Sequence, residues 1–197
     1  MNGKKDLSLY FAVRSGIRTG DPVQFSSSTL VGLAIRWWTK SDVNHTAMAI
    51  RFRDFEEKID RVFIIEAMEH GLQLRSLSER LSAHKGKAWW LPLRDEFDND
   101  LRRAIGACAL GYLGKGVKYD YQGCILGNLI NRAKKDDTKL FCSEALYRYI
   151  EDAVLGAEGY EDLKRAVLDA NRYLEGEAPT PADIPRLGLS KDGIGIL

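Results

Sequence analysis

The order of periodicities along this chain predicts an α+β fold. Two β-rich segments, His45 to Phe52 and Arg61 to Ala67, lie on either side of a charged link from Arg53 to Asp60. Shorter strand patterns follow at Gly71-Leu72-Gln73-Leu74 and Ala88 to Leu93. From Asp98 onward the apolar spacing lengthens to three and four residues and stays helical. Strands first and helices later describe a sheet with helices laid against it.

Taken in order, Gly20-Asp21-Pro22-Val23-Gln24-Phe25 reads as a turn entering a short strand, and Ser26 to Thr29 offers a cap for the next element. Leu30, Leu33, Ala34 and Trp37 then mark a helix that Lys40-Ser41-Asp42 closes. Past the sheet segments, Leu101, Ile105, Cys108, Ala109 and Tyr112 line one face of a helix ending at Gly114 or Gly116. Residues 117 to 139 carry apolar pairs split by glycines, which suggests a short helix and a loop. Cys142 opens a strong helix with Leu146, Tyr149, Ile150 and Ala153 on one face, and another helix spans Tyr160 to Leu174. From Pro179 the chain is rich in proline and glycine, so it packs as an extended arm or stays loose.

Charge and composition exclude several function classes. Twenty-nine basic and 28 acidic residues give a net charge of +1, too little to recruit nucleic acid by its overall field. No apolar run is long enough to span a bilayer, although transient membrane contact stays open. The start of the chain does not read as a signal peptide, and the three cysteines, Cys108, Cys124 and Cys142, lack the close pairing of a zinc or redox site. A reduced, cytoplasmic setting with no cofactor and no metal is the expectation.

Chemistry is concentrated in two short stretches. Leu140-Phe141-Cys142-Ser143-Glu144 puts a thiol where an apolar run gives way to a helix, whose N-terminal potential favours the thiolate. Asn44-His45-Thr46 puts an imidazole at the start of what reads as a half-buried strand, a rigid mount for a general base. Such a base needs an acceptor to orient its other nitrogen. Glu66, closing the run Phe63-Ile64-Ile65, is the best candidate, because an unpartnered carboxylate there would be costly. Each residue also has a plain structural reading: Cys142 as a small core residue, His45 as a satisfied structural histidine, Glu66 as a strand-end carboxylate. Their combination is what points to catalysis. His70 and His84 read as surface residues, Asp21 as a turn residue, Cys108 and Cys124 as core thiols, and the pairs Trp37-Trp38 and Trp89-Trp90 as possible groove walls.

In this order the motifs around Gly20-Asp21, His45, Glu66-Ala67 with Gly71-Leu72, Tyr119-Asp120 and Phe141-Cys142-Ser143-Glu144 resemble the circularly permuted branch of the NlpC-type papain-fold superfamily. YiiX-like proteins and, more distantly, the lecithin:retinol acyltransferases belong to that branch. The resemblance covers about residues 19 to 155. It implies a small antiparallel sheet or open barrel with the cysteine-bearing helix packed against it, a single catalytic domain over residues 1–178 and a C-terminal arm over 179–197. It further implies Cys142 as nucleophile, His45 as base and Glu66 as its orienting partner. The expected activity is cleavage of a peptide-like or acyl amide through a thioester, and the alternatives are a lipid acyltransferase or a non-catalytic binding module. The segment from Gly123 to Lys139 has no obvious counterpart in that branch.

Overall fold

A computed structural model describes residues 5–27, 30–54, 56, 58–68, 70–116, 118–119, 139–140 and 142–197. Its centre is a six-stranded, wholly antiparallel open sheet. The strands are β1 (Pro22–Phe25), β2 (His45–Asp54), β3 (Ile59–Met68), β4 (Gly71–Ser76), β5 (Ala88–Trp90) and β8 (Ile194–Gly195), in the spatial order β4-β3-β2-β1-β5-β8. A two-residue parallel pair, β6 (Lys118–Tyr119) with β7 (Lys139–Leu140), stands apart from it. The α+β class and the antiparallel sheet are as the sequence implies, in the open form and not as a barrel.

The helices divide between the two faces. Helices α4 (Asn99–Gly114), α5 (Cys142–Gly156) and α6 (Glu161–Leu174) cover one face, where Met48, Ile50, Ile65 and Ala67 meet Ile105, Leu146, Ile150 and Val167 in one core. The opposite face buries Val23, Phe25, Ala47, Ala49 and Ile64 against Tyr10 of α1 (Ser8–Val13) and Leu77 and Leu81 of α3 (Leu77–Ala83). Helix α2 (Leu30–Thr39) lies between β1 and β2 in the chain.

Neither α1 nor α3 is evident in the sequence, and the omission has a consequence. With both faces covered, β2 is buried continuously from Thr46 to Ile50, not alternately as a half-buried strand would be.

Local chemistry explains the ends. Asp98 caps α4 by accepting the Leu101 backbone N–H at 2.9 Å, with Asp100 in the first turn where the dipole favours an acid. Along α6, Leu163, Val167, Ala170 and Leu174 form the buried stripe that its spacing predicts, and Glu175 ends the helix in the left-handed region. The strand expected over Ala88 to Leu93 is shorter. It ends at Trp90, and Leu93 makes only an isolated bridge to Ser190.

Asp21 is more than a turn residue. Its buried carboxylate accepts from the Arg18 and Leu93 backbone N–H groups, from Trp90 Nε1 at 2.8 Å and from the buried Arg102 guanidinium at 2.7 Å. Four donors satisfy one carboxylate, which ties β1 to β5 and α4. Trp90 therefore belongs to the core and walls no groove.

The segment after Pro179 packs against the body. Ser143 Oγ donates to Pro179 O at 2.6 Å, Gln24 Nε2 donates to Pro181 O at 2.6 Å, and Ile196 is wholly buried beside β5. The short helix and loop expected within 117–139, and Cys124 with them, lie outside the described residues. Among those residues, no helix is long and apolar enough to cross a membrane.

Candidate functional site

The site forms at the end of the sheet where β2 begins and β3 approaches its finish. Met48 faces Ile65 across the β2–β3 ladder. Continuing that register one step sets Ala47 opposite Glu66, so His45 and Glu66 are diagonal neighbours on one face, within reach of long side chains. The contact is direct, with His45 Nε2 2.8 Å from Glu66 Oε2. His45 and the Cys142 sulfur are neighbours, each shifting the ionisation of the other. The three residues singled out by sequence are thus brought together at one end of the sheet.

Cys142 is the first residue of α5, with the backbone amides of Thr46 and Ser143 beside its sulfur. Burial pushes the thiol up, but His45 and these two amides outweigh it and hold Cys142 below its ordinary value. Burial likewise opposes charge on His45. The neighbouring Cys142 sulfur and the Glu66 carboxylate overcome it and raise His45 to about 9. Both shifts favour charge separation, thiolate beside imidazolium. The His45 side chain keeps 15% exposure, whereas Cys142 is buried.

Glu66 has no exposed side-chain surface, and burial alone would raise its pKa. His45 and Arg80 reverse that and lower it to about 2. Arg80 Nε lies 3.1 Å from Oε1 and 3.2 Å from Oε2, and Arg75 Nη1 stands 3.7 Å from Oε1. One buried carboxylate therefore faces three cationic groups.

The chain of contacts continues beyond Arg80. Its Nη1 donates to His84 Nδ1 at 3.2 Å, while His84 Nε2 donates to Ser26 O at 2.8 Å. That pattern fixes His84 as a neutral imidazole. Burial and the Arg80 charge lower its pKa in agreement. Phe25 packs among these groups, with Arg80 Cζ 4.6 Å from its ring centroid and the His45 and His84 rings 5.9 and 5.2 Å away.

His84 is consequently a buried structural residue, not the surface residue its Lys-flanked loop suggests. His70 is exposed, as expected. Cys108 is partly buried on α4, packed against the core, and its thiol is raised by burial. Arg80 was not foreseen as part of the site. The spacing of Arg80 within α3 and His84 at its C-terminal end, four apart, was the signal, but it acquires meaning only once α3 is docked on the sheet.

No family model matches this chain, and no curated protein sequence matches it. Among solved structures the chain is similar to the crystal structure of the metalloprotein YiiX from Escherichia coli O157:H7, DUF1105. The TM-score is 0.62 at 17% identity, over 91% of this chain and 96% of that one. At that identity the likeness is one of fold, and its extent exceeds residues 19 to 155.

Proposed function

We propose that this protein is a cysteine hydrolase that cleaves a peptide-like or acyl amide through a thioester on Cys142. The single observation that supports this reading most is the placement of His45, hydrogen-bonded to the buried, ionised Glu66 and neighbouring the Cys142 sulfur.

In this reading the Cys142 thiolate attacks the substrate carbonyl carbon, and the carbonyl oxygen takes the electron pair as an oxyanion. Backbone N–H groups of the first turn of α5 are suited to stabilise that charge, aided by the helix dipole. Collapse of the intermediate breaks the C–N bond, and the His45 imidazolium gives its proton to the departing amine. Neutral His45 then takes a proton from water as the water attacks the thioester, and Cys142 leaves as thiolate. Glu66 holds the imidazolium in place throughout without accepting its proton, as its depressed pKa requires.

The similar solved protein is described as a metalloprotein. The donor chemistry at the candidate site of this chain does not fit a metal. Glu66 is engaged by Arg80, Arg75 and His45, and among the described residues no three His, Cys, Asp or Glu side chains converge to hold an ion.

A burst experiment tests the proposal. With p-nitrophenyl esters of short acyl chains or acylated amino acids, one equivalent of p-nitrophenolate per protein is expected before steady turnover. The burst should vanish in Cys142→Ser and in His45→Ala. Release without a burst, unchanged in Cys142→Ser, would remove the thioester from the account.

A further inference from the structure

Helix α2 displays an apolar pair that stands exposed among the described residues. Trp37 is 82% exposed, the highest value among the large apolar side chains described, and Leu33, one turn earlier on the same side, is 45% exposed. Burying a bare indole is favourable, so an indole left in water on an ordered helix is a contact waiting for a partner.

The surroundings of the pair indicate the chemistry of that partner. Leu33 and Trp37 line an open depression with Arg36, Lys40 and Asp42, and the same Arg36 and Asp42 border a second depression with Lys85 and Lys87. Arg36 and Lys40 thus share the depression of the apolar pair, and Lys85 and Lys87 line the adjoining one, against one carboxylate, Asp42, itself 3.7 Å from Arg36. This local excess stands on a chain whose net charge is only +1.

The second depression is firmly built. Ser26 N–H donates to Lys87 O at 2.9 Å, His84 Nε2 donates to Ser26 O, and the Lys5 ammonium donates to His84 O. Lys85 and Lys87 are therefore carried on a fixed loop, with their side chains exposed. The patch also adjoins the candidate site, because Ser26 follows Phe25, the residue paired with His45 across β1 and β2.

A projecting tryptophan and leucine ringed by lysine and arginine match the interface of an anionic bilayer. There the indole sits at headgroup level, the leucine enters the acyl region, and the cations meet lipid phosphates. We infer that α2 and the 85–87 loop form a peripheral docking surface for an anionic membrane, holding the His45 end of the sheet against the lipid. This inference does not depend on the thioester chemistry.

Vesicle binding by the full chain tests it. Phosphatidylcholine vesicles containing about a third phosphatidylglycerol should co-sediment the protein and shift its tryptophan emission to the blue, whereas pure phosphatidylcholine vesicles should do neither. Trp37→Ser should reduce binding on the order of tenfold and remove the shift. Lys85→Gln with Lys87→Gln should weaken binding and its sensitivity to salt. Failure of the wild type to bind the anionic vesicles, or undiminished binding by Trp37→Ser, would overturn the inference. So would a concentration-dependent dimer that Trp37→Ser abolishes, since that gives the patch to a second copy. Iodoacetamide labelling of Cys142, measured on the same samples, should be unchanged by Trp37→Ser, which separates failure of the surface from failure of the site.

Discussion

The Arg80 guanidinium rests on the Glu66 carboxylate, its Nε shared between the two oxygens at 3.1 and 3.2 Å. Glu66 in turn meets His45, so the charge that orients the imidazole is itself held in place from α3. Removing Arg80 leaves a buried carboxylate with a weaker set of partners, the situation in which breaking one side of an ion pair is most costly. Arg80→Met is expected to destabilise the fold by about 3 kcal/mol, read by urea denaturation. It should also lower the labelling rate of Cys142 near neutral pH. Arg80→Lys, which keeps charge but not the shared contact, should recover part of each.

Glu66 also sets the acid limit of stability. Its pKa falls from 4.5 in the unfolded chain to about 2 in the fold. Its contribution is therefore full above 4.5 and is lost as pH falls from there through about 2. That difference corresponds to about 3 kcal/mol. Urea midpoints measured between about pH 5 and pH 2 should drop steeply for the wild type and more gently for Glu66→Gln. His45 acts in the opposite direction, since its value is raised from 6.5 to about 9. Its stabilisation is complete below 6.5 and fades as pH rises through about 9.

The loop before β5 depends on one glycine. Gly86 has φ +156°, and a Cβ there would stand 1.8 Å from Ser26 O, the acceptor of His84. No rotamer change relieves a clash with backbone. Gly86→Ala is expected to lower the thermal midpoint by several degrees, consistent with a loss of about 2 kcal/mol or more. It should also perturb Arg80 through His84, so Cys142 labelling should slow in the folded variant.

Much of this arrangement was legible in the sequence where one element carried its own signal. The boundaries at His45, Asp98 and Leu174 followed from periodicity and capping. The positions of Cys142, His45 and Glu66 followed from asking what a thiol at a helix start would need. The parts that were not legible depend on packing between distant segments. Helix α3 is seven residues long, too short for its apolar spacing to stand out, so Arg80 drew no attention and His84 read as a surface residue. The tail beyond Pro179 lacks periodicity because Pro179 and Pro181 hold it through their carbonyl oxygens, which any residue could supply. Asp21 showed its turn but not its four donors, three of which come from 69 or more positions away.

The central claim is that His45 and Cys142 exist as an imidazolium–thiolate pair at neutral pH. The pH dependence of iodoacetamide alkylation, resolved at Cys142 and Cys108 by peptide mass spectrometry, tests it most directly. Cys142 in the folded wild type should react below the ordinary thiol range, at a pH where Cys108, raised by burial, stays unreacted. In folded His45→Ala the Cys142 profile should move up to the ordinary thiol range or above it. A wild-type Cys142 that alkylates only at alkaline pH, with a profile His45→Ala leaves in place, would contradict the account.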